Sequence, residues 1–113
     1  MKLILAYIRP VKRDEVVQRL RRMSVPGASL SPVNGFGREA DPDGTPSYDP
    51  AVSPYADMVR LEIVCAEDRA EEWARAVAEA ARTGRRGDGK VFVLPVERGI
   101  DIRTQQATDD AGV

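Results

Sequence analysis

Between Thr83 and Thr104 the chain reads TGRRGDGKVFVLPVERGIDIRT, a stretch with five basic residues and glycines at 84, 87, 89 and 99. Glycine lacks a Cβ, so successive backbone N–H groups in a Gly-rich turn can converge on anionic oxygens. Gly87-Asp88-Gly89 supplies such a turn, Lys90 adds a positive charge directly after it, and Arg98 and Arg103 follow. A second stretch, Gly35-Phe36-Gly37-Arg38, has the same ingredients. Together they suit the phosphates of a nucleotide. The same residues also serve as a capped helix end, a tight turn and a solvated cationic surface, which is their commoner use, so both readings stand on these stretches alone.

Composition narrows the chemistry. The chain has 113 residues and a formal net charge of −1, with 17 basic residues interspersed among 18 acidic ones, so no global field gathers nucleic acid or an anionic membrane. The absence of histidine excludes a histidine base, a Ser-His-Asp triad and a zinc site with histidine ligands. Oxygen ligation of magnesium remains open. Cys65 is the sole cysteine; it is read as a core residue, argues against soft-metal binding, and points to a reducing, cytoplasmic setting. The opening MKLILAYIRP is too short an apolar run for a signal peptide or membrane insertion.

The elements that must position these residues follow from periodicity. Lys2 to Arg9 is a β-branched and aromatic strand stopped by Pro10. From Lys12 to Met23, Val16, Val17, Leu20 and Met23 share a helical face. Ala28 to Phe36 is a weaker strand. Arg38 to Tyr55 holds four prolines, a glycine and three aspartates with few large aliphatics, so it is a long exposed loop of the functional kind. Met58 to Val64 alternates as a strand. Glu67 to Arg82 is a helix with acidic first turns and Trp73, Val77 and Ala80 on one face, stopped at Gly84. Lys90 to Val96 is a strand, Ile100 to Arg103 a further short one, and residues from Gln105 onward a polar, mobile tail. The order predicts an α+β, ferredoxin-like βαββαβ sandwich over 1–104, with a loop at about 38–55 between strands 2 and 3 and a tail at 105–113. With both helices on one face of the sheet, the other face needs a partner, which predicts a homo-oligomer.

Three stretches carry a resemblance over nearly the whole chain: KLILAYIRPVKRDEVVQRL, VNGFGRE, and ARTGRRGDGKVFVLPVERGIDIRT. They resemble the nitrogen-regulatory PII signal-transduction family, with Thr83, Gly84, Gly87, Asp88, Gly89, Lys90, Phe92, Pro95, Arg98 and Arg103 matching in type and spacing. The resemblance implies a homotrimer with ATP or ADP competing for a cleft between subunits. It implies that Arg38, Lys90 and Arg103 hold phosphates, that the backbone of Gly87, Asp88 and Gly89 wraps them, and that Ser29, Glu62 and Val64 border adenine and ribose. Gly35 joins the nucleotide-binding set, and Gly37 lets the chain pass close by.

Departures from the family pattern qualify this. Glu39 stands where the family has glutamine; it can still ligate magnesium but repels the dicarboxylate 2-oxoglutarate. Met58 replaces the lysine that pairs with 2-oxoglutarate, and Asp101 replaces a phosphate-binding arginine, opposing a γ-phosphate unless a cation intervenes. The uridylylated tyrosine of many members falls at Ala51, and Tyr48 and Tyr55 nearby are read as surface tyrosines. The expectation is a regulatory protein, not an enzyme, that binds ATP or ADP and controls a membrane transporter or metabolic enzyme through loop 38–55, with 2-oxoglutarate sensing and uridylylation lost. The competing reading is a trimeric interaction scaffold without nucleotide sensing.

Overall fold

Alternation decides the sheet. In β1 (Lys2–Ile8), Ile4, Ala6 and Ile8 are buried while Leu3, Leu5 and Tyr7 between them are half-buried, because successive side chains of a strand face opposite sides. A computed structural model of the chain describes residues 1–37 and 55–108. β2 spans Ser29–Gly35, β3 Ala56–Cys65 and β4 Gly89–Pro95. These four strands form one antiparallel sheet in the order β2-β3-β1-β4. That order places β1 between β3 and β4 and leaves β2 and β4 as opposite edges.

The helices α1 (Arg13–Arg22) and α2 (Glu67–Ala81) each connect two strands that are not neighbours, so both cross the same face. Val16 and Leu20 of α1 and Trp73 and Val77 of α2 join Ile4, Ala6, Ile8, Leu61 and Ile63 in one core. Arg19 of α1 donates to Glu79 of α2 across 2.8 Å. Pro10 opens a 3-10 turn, Pro10–Lys12, that leads into α1; proline suits such a start because its missing N–H has no helical acceptor there. Glu67 and Asp68 occupy the first turn of α2, where they complement its dipole. The expected ferredoxin-like α+β architecture is therefore the one observed, with α2 ending a residue before Arg82.

Two differences from expectation exceed a single residue. β3 begins at Ala56 and not Met58, because the β2–β3 ladder continues past the apolar run; Asn34 Nδ2 donates to Asp57 Oδ1 at 2.6 Å in one of its last rungs. The second difference is at the C-terminal end. A strand was expected over Ile100 to Arg103 and a tail from Gln105. Instead β5 (Gly99–Ile100) pairs with β6 (Ala107–Thr108), and residues 101–104 form the turn, so the hairpin crosses the expected boundary at 104. The turn is held by Asp101, whose carbonyl accepts the Gln105 amide at 2.8 Å and whose carboxylate accepts the Thr104 amide at 3.0 Å. Nothing in the polar run of residues signals that closure. The expected regulatory loop lies, but for Tyr55, outside the described residues.

The helix-free face carries Leu3, Leu5, Tyr7 and Val64, and by register Phe92 and Leu94, which are 47% and 38% exposed. Arg60 and Glu62 interrupt it. Nε of Arg60 approaches Oε1 of Glu62 to 3.0 Å but forms no hydrogen bond there, and that buried nitrogen has no other acceptor among the described residues.

Candidate functional site

The corner where β4 starts is shaped by glycine. Gly89 has φ +102°, and a Cβ there would stand 1.7 Å from the carbonyl oxygen of Tyr7, the backbone of the neighbouring strand. Gly84 and Gly87 likewise have positive φ, +89° and +94°. A chain with three such positions in six residues folds back sharply between α2 and β4, and a side chain at residue 89 would push the strands apart.

Asp88 locks the turn from inside. Its Oδ2 accepts the amides of Thr83 at 2.8 Å and Gly84 at 2.9 Å, and its Oδ1 accepts the Thr83 hydroxyl and Nε of Arg9, the latter at 2.9 Å. Partial burial by itself would raise the carboxyl's pKa. The hydrogen bonds from Thr83, Arg9 and Gly84 outweigh it and hold the group well below the usual carboxylate range. Arg9 also donates from Nη2 to the carbonyl of Arg86 at 2.7 Å. The Asp88 side chain is thus committed to the fold, and what this residue can offer a ligand is its backbone.

Lys90 follows at once, paired in register with Tyr7. It is exposed and enters no ion pair among the described residues. Beside it a cleft of about 320 Å³ opens between the last turn of α2 and β4, lined by Ala78, Ala81, Val91, Arg82 and Lys90 among others. The glycine turn and the lysine therefore form one cationic, backbone-rich corner, suited to anionic oxygens. Met58 reaches the same corner: its Cε would lie 3.4 Å from a Gly89 Cβ, so a methyl group stands where the family resemblance places an ammonium.

The remaining expected site residues fall elsewhere in the chain. Ser29 and Glu62 are partners across β2 and β3, and Val64 lies two positions further on the same half-buried side of β3. Gly35 ends β2 and Gly37 follows it; neither has φ above zero, and among the described residues a Cβ at either would meet nothing within 4 Å. They sit on the edge opposite β4, with two strands between, so three inter-strand spacings or roughly 14 Å separate the two edges across the sheet. Arg103 is exposed in the turn of the β5–β6 hairpin, which packs near Met1. Met1 and Tyr7, the partner of Lys90, are six residues apart along β1, or about 20 Å. The base of that hairpin thus lies at the end of the sheet away from Lys90. Arg38 and Glu39 lie outside the described residues.

Arg9 and Thr83 are the residues that sequence reasoning did not assign to the corner. Thr83 stood five positions before Asp88 in the glycine-bearing stretch, within reach of a turn argument. Arg9, 79 residues away, carried only the signal of a cation at the end of an otherwise apolar strand. Cys65 is fully buried; desolvation, reinforced by Asp68 against the N-terminal ammonium, pushes its thiol pKa up, which suits a packing residue.

The family model for "Nitrogen regulatory protein P-II" matches residues 1–106, taking in both glycine stretches and the C-terminal turn. A nitrogen regulatory protein P-II from Cereibacter sphaeroides is 42% identical over 113 residues, covering 98% of this chain and 99% of that protein. The Haemophilus influenzae protein of the same name is 38% identical with the same coverage, and nitrogen regulatory protein GlnK2 of Haloferax mediterranei is 36% identical over 98% of this chain and 90% of its own. With the four-stranded sheet, the two helices on one face and the Thr83–Lys90 turn in place, full-length similarity of this order leaves one conclusion: the chain belongs to the nitrogen regulatory protein P-II family.

Proposed function

We propose that this P-II-type regulatory protein acts by binding ATP or ADP in clefts between the subunits of a homotrimer, and that the bound nucleotide sets the state of loop 38–55, which docks on a membrane transporter or metabolic enzyme. One observation carries the reading. The turn from Thr83 to Gly89 is pinned by the fold's own carboxylate and guanidinium, so its glycine backbone and Lys90, which has no ion pair among the described residues, form a preformed anion corner. The hairpin that carries Arg103 is rooted beside Met1, at the end of the sheet away from Lys90, which favours a site completed by a second copy, and the exposed Phe92 and Leu94 give that copy an apolar surface to cover. Arg38, Gly37, Gly35, Ser29, Glu62, Val64 and Arg103 would supply the rest of the cleft, with Glu39 as a ligand for magnesium.

Met58 supports the loss of 2-oxoglutarate sensing, because an apolar methyl beside Gly89 gives a dicarboxylate no counter-charge. Asp101, bound to the Thr104 amide, would bring negative charge to the turn that carries Arg103 and favour ADP over ATP. The role is regulatory and cytoplasmic, without catalysis; among the described residues no helix is long and apolar enough to cross a membrane.

Calorimetric titration of the purified protein with ADP and with ATP plus magnesium tests the reading. Binding is expected for both, weakened about tenfold by Lys90→Gln through loss of a charge-assisted contact. A folded trimer that takes up neither nucleotide at millimolar concentration defeats it and leaves the interaction scaffold.

A further inference from the structure

Arg9 is the buried charged residue of the described chain, with 6% of its surface exposed. The strand ladder makes no demand for a cation at this position, where β1 has just ended. Taking a guanidinium out of water costs several kcal/mol unless its donors are paired. Here Nε reaches Asp88 Oδ1 at 2.9 Å and Nη2 reaches the Arg86 carbonyl at 2.7 Å, so both contacts go to one turn, 79 and 77 residues along the chain. Inside the turn Asp88 also accepts the Thr83 and Gly84 amides and the Thr83 hydroxyl, so the guanidinium ties an already closed loop to the end of β1. Residues 82–86 are exposed, and glycines at 84, 87 and 89 leave the backbone with unusual freedom.

We propose that Arg9 is a positioning residue for the phosphate-binding turn. Through Asp88 and the Arg86 carbonyl it holds residues 83–89 in their receiving shape before any nucleotide arrives, and so raises affinity without touching the ligand. The proposal rests on the nucleotide-binding reading above. Its physical basis is preorganisation: a turn already ordered by the end of β1 loses little conformational entropy when an anion docks, whereas an unclasped glycine turn must be ordered at the ligand's expense. The planar fork matters, because two donors must meet a carboxylate and a carbonyl at once, and a lysine ammonium on a flexible stem does not reproduce that arrangement.

The test uses the full chain. ADP and magnesium-ATP affinities are measured by calorimetry for wild type, Arg9→Met, Arg9→Lys and Thr83→Val, together with hydrogen exchange of the Thr83 and Gly84 amides without nucleotide. Arg9→Met is expected to weaken both nucleotides about tenfold or more, and Thr83→Val about threefold. Arg9→Lys is expected to fall between wild type and Arg9→Met. The two amides exchange faster in the same order while those of β1 and β3 keep their protection, a pattern that general destabilisation does not produce. Arg9→Met that keeps its sheet protection and binds with wild-type affinity overturns the proposal. Should Arg9→Met fail to fold, Thr83→Val decides: faster exchange with unchanged affinity overturns it. Should the wild type bind no nucleotide, the nucleotide reading is what fails, and unchanged exchange in Arg9→Met or Arg9→Lys overturns the positioning role separately.

Discussion

Two glycine stretches with nearly the same composition behave differently in this molecule. Thr83 to Lys90 is a closed object: three glycines at positive φ, a carboxylate with four donors, and a guanidinium delivered from the far end of the chain's first strand. Gly35-Phe36-Gly37 is an open one. Its glycines have no positive φ and no described neighbour within 4 Å of a Cβ, and the contacts among the described residues nearby are peripheral, an Asn34–Asp57 hydrogen bond and an edge-on approach of Phe36 to Tyr55 with ring centroids 6.2 Å apart. The first stretch is completed by the fold of one chain. The second is prepared by it, at the opposite edge of the sheet, and its glycines are needed only if something else comes close.

That contrast predicts unequal responses to the same substitution. Gly89→Ala should do the most damage, because its Cβ collides with the Tyr7 carbonyl in a backbone conformation that alanine avoids; a loss of about 3 kcal/mol or more is expected in urea unfolding. Stability unchanged to within experimental scatter would mean that the turn yields far more readily than its hydrogen bonds suggest.

Asp88→Asn comes next. It keeps the shape of the acceptor but removes its charge from Arg9 and Thr83, and should cost roughly 1–2 kcal/mol at neutral pH. The sign with pH follows from the lowered carboxyl pKa: the folded state binds the proton less readily than the unfolded chain, so the wild-type advantage is full above about pH 4. It fades as pH falls through the folded-state value, and the two stability curves should converge in acid. A gap between wild type and Asp88→Asn that persists or widens in acid would reverse the assignment. Gly37→Ala should have the smallest effect, within about 0.5 kcal/mol, since its Cβ meets none of the described residues within 4 Å. A weakened nucleotide affinity without a change in unfolding midpoint would show that this glycine serves a ligand; a large stability loss would abolish the distinction between the two stretches.

Much of the scaffold could be read from local pattern. The alternation in KLILAYI and the periodic Trp73 and Val77 assign their elements because burial on one side repeats every second residue or about every 3.6. Lys90 after a glycine turn was likewise visible as a candidate, since the relevant residues are adjacent. What escaped were contacts made at a distance or by polar groups. The meeting of Arg9 with the Asp88 carboxylate spans 79 residues and leaves no local trace in the sequence. Asp101 looked like a charge aimed at phosphate, whereas its carboxylate and carbonyl close a hairpin. The β6 strand was read as tail because two short polar-flanked residues carry no alternation to count.

By itself, the order of residues determined the four long strands and the two helices, that both helices share a face, and where glycine must be tolerated near a cation. Those properties depend on neighbours within a turn or two. Only the tertiary structure decided that Arg9 meets Asp88, that β2 and β4 are the edges of the sheet, and that the hairpin carrying Arg103 is rooted at the end away from Lys90. Strand order and register bring residues dozens of positions apart within hydrogen-bond range or hold them some 20 Å apart, and no short-range period carries that information.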